Sequence, residues 1–246
     1  MKKHGVHVVF LIAVIGSCLT AQAQQKTPSS PGPPDIQTPE VIVVSQPDSP
    51  LLVTTSSRWA TPGAEIFDLY VVVKNRDTKS IRAFTTRIDF GERKPSQACI
   101  VDNIYFPGKV LKQDEGDGKS RFLAVKNNSA IQVSVDYVEF VDGSTWGQDT
   151  CQTVEYLAGE RAGGDAAIKW FTNLIQEKGT KAVVEMIRSG SVSVEKPHST
   201  SARWDEAFRK GVDIISRRVM DAYSREGEAE VAVVLSKSYD ASGVKQ

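Results

Sequence analysis

The feature that most restricts the fold of this chain is a change of hydrophobic period near Trp146-Gly147. Upstream of it, apolar residues recur at every second position, the repeat of a strand with one face buried. Phe67, Leu69, Val71 and Val73 alternate in this way, as do Ile131, Val133, Val135 and Tyr137, and Phe84, Ile88 and Phe90 share one side of another run. Shorter runs stand at Val41–Val44, Leu51–Trp59, Ile100–Phe106 and Arg121–Val125. Thr61-Pro62-Gly63, the polar stretch 75–80 and Asp114-Glu115-Gly116-Asp117-Gly118 separate them as turns. Several short strands punctuated by turn residues predict an all-β sandwich over residues 40–148.

Downstream of the switch, in 149–246, the apolar residues fall at helical spacing. Val154, Leu157 and Ala158 begin a stripe that Gly163-Gly164 is expected to break. Asp165 is then the expected cap of a second helix bearing Ile168, Phe171, Leu174 and Ile175 and ending at Gly179. Thr180 opens a short third helix closed by Gly190. Ser201 caps a longer one, with Asp205 and Glu206 in its first turn and Trp204, Phe208, Ile215, Val219 and Tyr223 on its apolar face. Residues 228–235 are read as a final helix. The predicted fold is therefore a β-sandwich followed by an α-helical C-terminal region, whose apolar faces need a partner, either each other or the sandwich.

The N-terminus reads as an export signal. Lys2 and Lys3 precede an apolar run from Val6 to Ile15, and Ala21-Gln22-Ala23 offers a small-residue cleavage site before Gln24. The run is too short for the roughly 20 residues that span a bilayer, and no later stretch suffices. Ile15-Gly16-Ser17-Cys18 supports a second ending, a lipobox in which Cys18 becomes an acylated first residue. Residues 1–23 are accordingly read as the signal peptide. Residues 24–39, with Pro31-Gly32-Pro33-Pro34 at their centre, are read as a disordered Pro/Ser/Gln-rich spacer. The expected location is secreted or periplasmic, with an outer-envelope lipoprotein as the alternative. Cleavage after Ala23 leaves Cys99 and Cys151, which an oxidising compartment favours as a disulfide contributing about 4 kcal/mol in the chain-entropy model.

One part of the chain resembles a known family. Leu69-Tyr70-Val71-Val72-Val73-Lys74-Asn75, a polar turn and Ile81-Arg82-Ala83-Phe84 resemble the central hairpin of bacterial immunoglobulin-like accessory domains. Val138 to Trp146 is similar to the last strand and turn of uncharacterised exported bacterial proteins. The resemblance covers about residues 40–148. It implies an immunoglobulin-like sandwich and carries no catalytic motif to transfer, because that fold hosts many functions.

The titratable residues do not assemble a reaction centre in the sequence. Mature 24–246 carries 28 basic and 30 acidic residues, a net charge of −2 that gives no footprint for nucleic acid. His198 is its single histidine, set in a linker after Pro197, so a Ser-His-Asp triad or a His/Cys zinc site has little to build on. Asp136, Glu139 and Asp142 cluster on the clearest strand, but a spacing of three places Asp136 and Glu139 on opposite faces of a regular strand. The acidic turn at 114–118 lacks the ligand spacing of a calcium loop and reads as a hairpin turn. Asn127-Asn128-Ser129 forms a sequon that a bacterial signal leaves idle. Trp59, Trp146, Trp170 and Trp204 are candidates for a carbohydrate or peptide surface, with core packing as the default. No cofactor, metal, catalytic residue or transmembrane segment is expected. The expected function is that of a non-enzymatic envelope protein with a protein partner. An exported hydrolase using scattered carboxylates and a lipid-anchored subunit of an envelope complex are the alternatives.

Overall fold

The alternating segments form strands, and the computed structural model arranges them in two sheets followed by four α-helices. It describes residues 40–59, 66–91, 96–125, 130–199 and 201–236, without the side chains of 58, 59, 66, 67, 107 and 118–125. The signal, its two cleavage readings at Ala23 and Cys18, the spacer and the sequon lie outside these residues.

The strands are β1 (Glu40–Val43), β2 (Leu51–Trp59), β3 (Ile66–Asn75), β4 (Ile81–Asp89), β5 (Gln97–Asp102), β6 (Gly116–Val125), β7 (Ala130–Phe140) and β8 (Thr145–Gly147). One sheet has the order β1-β7-β4-β5, with β8 also on β7; the other is β2-β3-β6. All pairings are antiparallel except β1 with β7. Two apolar clusters draw on both sheets. Leu51 and Val73 meet Ile81, Phe84, Val135 and Val138; Leu69 and Val71 meet Ile88, Ile131 and Val133. The turn joining β3 to β4 is pinned by the fully buried Asn75, whose amide donates to the carbonyls of Lys79 (2.9 Å) and Leu111 (3.0 Å).

Two bulges interrupt the alternation. The β4–β7 register skips Arg82 on one strand and Asp136 on the other. A bulge inserts one residue and shifts the side-chain parity. Ile131, Val133 and Val135 therefore face the three-stranded sheet, while beyond the bulge Val138 and Phe140 do so instead. Tyr137, expected on the face of Val135, packs on the opposite face with Ala83 and Leu157.

The helices are α1 (Thr153–Lys178), α2 (Thr180–Arg188), α3 (Ala202–Glu226) and α4 (Glu228–Ser236). The Ser201 hydroxyl accepts a hydrogen bond from the Trp204 N–H and caps α3. Gly179 ends α1, its N–H returning to the Ile175 carbonyl. The expected break at Gly163-Gly164 does not occur: α1 runs unbroken through both, and Asp165 lies inside it rather than capping a second helix. The physical reason is a close helix crossing. A Cβ at Gly163 would collide with the backbone of Phe208, and one at Gly211 with the Glu160 carbonyl. Glycine costs each helix roughly 1 kcal/mol in propensity, and here it lets two backbones touch. Around the crossing, Phe171, Ile215, Val219 and Val231 form the helical core, joined by Ile104 and Tyr105 from the segment after β5. Residues Thr38–Gln246 form one compact unit, in which α1 lies on the outer face of the β1-β7-β4-β5 sheet. Among the described residues no helix is long and apolar enough to cross a membrane.

Candidate functional site

The edge of β7 opposite β4 is shared by two strands and is open between them. β1 pairs residues 130–133 and β8 pairs 137–139. At Val135, between them, the side chain of Gln46 substitutes for a strand: its Nε2 donates to the Val135 carbonyl (2.9 Å) and its Oε1 accepts from the Val135 N–H (2.8 Å). The loop carrying Gln46 and Asp48 is held by Arg76, whose guanidinium donates to the carbonyls of Gln46, Pro47 and Ser49.

The other wall of this notch is the turn that leads from β8 into α1. Asp136, displaced by its bulge, organises that turn. One carboxylate oxygen accepts from the backbone N–H and the hydroxyl of Thr150, the other from the Cys151 N–H (2.9 Å). Asp149 then accepts from the N–H groups of Thr153 and Val154 at the start of α1. Gly147 has φ of 104°, and a Cβ there would collide with the Asp136 carbonyl, so the position requires glycine.

The result is a cavity of about 490 Å³ that includes Gln46, Asp48, Arg87, Asp136, Trp146 and Gln148 in its lining. A second hollow of about 280 Å³, reaching Cys151, Gln152 and Arg203, shares Arg87 and Thr150 with it. The larger volume lies within the ~300–1,000 Å³ of small-molecule sites. Trp146 is half-buried, and its indole N–H donates to Asp48 (3.4 Å). Arg87 donates to Thr150 (3.2 Å), Ser96 (3.1 Å) and Asp89 (3.3 Å). Its Nε is buried without a hydrogen-bond acceptor.

Deeper along the same face lies a network of buried charges. Arg161 of α1 donates through Nη1 and Nη2 to the two oxygens of Glu139 and through Nε to Asp102 (2.8 Å). Arg82 binds the same Glu139 from the other bulge. Burial pulls the Arg161 guanidinium down, and the hydrogen bonds and charges of Asp102 and Glu139 more than reverse it, leaving it above its ordinary value. Glu160, 2% exposed, is raised by burial despite Lys210 at 2.8 Å. Burial likewise pushes the Tyr137 phenol up to about 12. Tyr105 donates to the Arg161 carbonyl (2.7 Å). These groups tie α1 to the sheet, with the Nη1 of Arg82 buried without a hydrogen-bond acceptor.

The residues singled out in the sequence separate into different places. Asp136 and Glu139 both lie on the face toward α1, because the bulge cancels the parity that would have parted them. Each is consumed by fixed partners. Asp142 belongs to an exposed turn, held well below the usual carboxylate range by hydrogen bonds from Ser144 and then Lys79. His198 is exposed between α2 and α3. In the acidic turn Asp114 pairs with Lys74 (2.9 Å) and Glu115 accepts from the Lys112 N–H. Among the described residues no three His, Cys, Asp or Glu side chains converge as metal ligands. Trp170 packs edge-on against Phe171, and Trp204 stacks on Phe208. Trp146 alone of these three lines the notch, and the side chain of Trp59 lies outside the described residues.

The bridge expected between Cys99 and Cys151 is not formed; both are half-exposed thiols. Strand alternation explains why. Ile100 packs toward Leu157 of α1 and Val101 toward the three-stranded sheet. Cys99 therefore shares the face of Val101, whereas Cys151 lies at the start of α1 on the other face. Burial, and then the charge of Asp136, push the Cys151 thiol up, away from reactivity.

Gln46, Asp48, Arg87, Thr150 and the Arg82–Glu139–Arg161 group were not evident from sequence. The one available signal was arginine at positions 82 and 87 inside a strand whose other residues, Asp89 aside, are uncharged. No protein-family model matches the chain, and neither a curated protein nor a solved structure shows significant similarity to it.

Proposed function

We propose that this is an exported, non-enzymatic envelope protein that acts by binding, with the β7 notch as its binding site. The observation that carries this reading is the contrast between Asp136 and its surroundings. The one carboxylate deep in the notch accepts three hydrogen bonds from Thr150 and Cys151, which hold it in place and leave at most one lone pair for acid–base work. The exposed groups around it, Asp48 and Gln148, stand beside the half-buried Trp146. Apolar clusters that combine residues of both sheets support an immunoglobulin-like sandwich as the scaffold, with the helices buttressing its outer face. Export rests on the N-terminal pattern of charge, apolar run and small residues.

A photo-crosslinking residue at Gln148, expressed in the native envelope, is expected to capture a reproducible partner that the same residue at the remote Glu185 does not. Equal capture at both positions overturns the reading, as does capture at neither when no small molecule binds the notch. A catalytic role predicts instead that Asp136→Asn or His198→Ala abolishes a measurable turnover. Mass spectrometry of the mature N-terminus tests export: Gln24, free or cyclised, is expected, while an acylated Cys18 places the protein on a membrane surface.

A further inference from the structure

The chemistry of the notch narrows what it can hold. The lining of the two neighbouring hollows balances Asp48 and Asp136 against Arg87 and Arg203, so it offers no surplus charge for a polyanion or a polycation. What it offers is a mixture of donors and acceptors on planar or compact groups: the Asp48 carboxylate, the Gln148 amide, the Arg87 guanidinium and the Ser134 hydroxyl. Neighbouring hydroxyl groups, each both donor and acceptor, match such a mixture better than the one-directional pattern of a peptide strand. The backbone groups a peptide strand would use at Val135 are already taken by Gln46.

Two observations point toward a ligand rather than an idle depression. Arg87 lines both hollows, its side chain 36% exposed and its guanidinium held in place by Thr150, Ser96 and Asp89. Trp146 packs against the cluster that contains Val135 and Val138 and donates its indole N–H to Asp48, which together fix an aromatic ring within the lining. A fixed ring beside hydrogen-bonding groups suits a molecule with one face of C–H bonds and a rim of hydroxyls. The second hollow, which shares Arg87 and Thr150 with the first, leaves room for a further unit.

From this combination we propose that the notch binds a neutral saccharide, with Trp146 as the stacking platform and Asp48, Gln148 and Arg87 as hydroxyl partners. The proposal rests on the binding-protein reading and names the chemistry of its ligand.

The test is calorimetric titration of the full mature chain with chito-, cello-, malto- and galacto-oligosaccharides of two to six units. Oligogalacturonate and a neutral pentapeptide serve as contrasting probes. Saturable binding of at least one neutral series is expected. Asp48→Ala and Gln148→Ala, both at exposed positions, should each weaken it about tenfold, the equivalent of 1.4 kcal/mol, with circular dichroism unchanged. Trp146→Ala should weaken it further, and Trp146→Phe should recover part of the loss. Binding of no neutral series, of oligogalacturonate or peptide alone, or of sugar with undiminished affinity in the Asp48 and Gln148 variants overturns the proposal. Capture of an unglycosylated polypeptide at position 148 together with silence toward sugars would remove the saccharide and leave the binding protein standing. Absence of both signals would remove both.

Discussion

The two faces of the β1-β7-β4-β5 sheet are buried by different chemistry. Toward the three-stranded sheet, Phe84, Ile88, Ile131, Val133 and Val138 present hydrocarbon. Toward the helices, Thr85, Asp136, Tyr137 and Glu139 meet Thr153, Thr150, Leu157 and Arg161. Hydrocarbon burial is strong and non-directional, so it holds layers together and tolerates small shifts between them. Buried ion pairs add little net stability, because desolvation offsets their attraction, but they are satisfied in one geometry only. Arg161 must meet Asp102 and both oxygens of Glu139 at once, which fixes the position of α1 along the sheet. The difference teaches that cohesion and placement are separate tasks here, assigned to opposite sides of the same strands.

The largest expected effect breaks the charged side. Glu139→Ala leaves Arg82 and Arg161 buried without their shared carboxylate and should cost about 3–5 kcal/mol, read as a fall in the urea midpoint. Replacing the whole group together, Arg82→Met, Asp102→Asn, Glu139→Leu and Arg161→Met, should restore stability to near that of the parent while hydrogen exchange at the start of α1 quickens. A quadruple variant as unstable as Glu139→Ala would mean that the charges themselves supply cohesion, and the division of labour would fail.

On the hydrocarbon side, Ile88→Ala should cost about 3 kcal/mol through lost burial and a cavity. Hydrogen exchange at the start of α1 should not quicken beyond what global unfolding accounts for. Faster local exchange there would show that the two faces are coupled.

The smallest effect concerns Glu160. Burial, reinforced by the charge of Asp102, raises its folded pKa above the unfolded value despite Lys210 and Arg161 beside it. Between those two values the folded chain holds the proton more tightly. Its contribution to stability is therefore present at low pH and is lost as pH rises through the window, from about 4.3 upward. Thermal melts of the parent and of Glu160→Gln should converge at low pH and separate toward neutrality, with the parent losing ground. Parallel curves would contradict the shift.

Strands and helices were legible because each carries its period over many residues. Seven of the eight strands follow apolar runs, and Ser201 and Gly179 mark helix ends by local chemistry that operates within one turn. β8 has three residues, too few for a period to register. The bulges at Arg82 and Asp136 carry no glycine or other local mark, and they arise from fitting β4 to β7. For that reason Tyr137 was assigned to the wrong face, and Asp136 was separated from Glu139. Gly163-Gly164 was misread because glycine weakens a helix in isolation and favours it where another backbone must come close. Only the presence of α3 decides between those outcomes. The notch was invisible for a related reason: Gln46 and Val135 are 89 positions apart, and nothing local announces a side chain acting as a strand.

That glutamine has a consequence for how these molecules behave in a crowd. An unpaired stretch of sheet edge invites the same stretch of a neighbouring molecule to pair with it, and so seeds self-association. A strand inserted there would close the gap but fill the cavity; an open edge would keep the cavity and stick. One amide, presenting a donor and an acceptor at the spacing of a peptide group, quenches the edge at Val135 while occupying little of its width. The molecule thereby keeps a recess in the rim of a sheet without the aggregation that such a recess would otherwise bring.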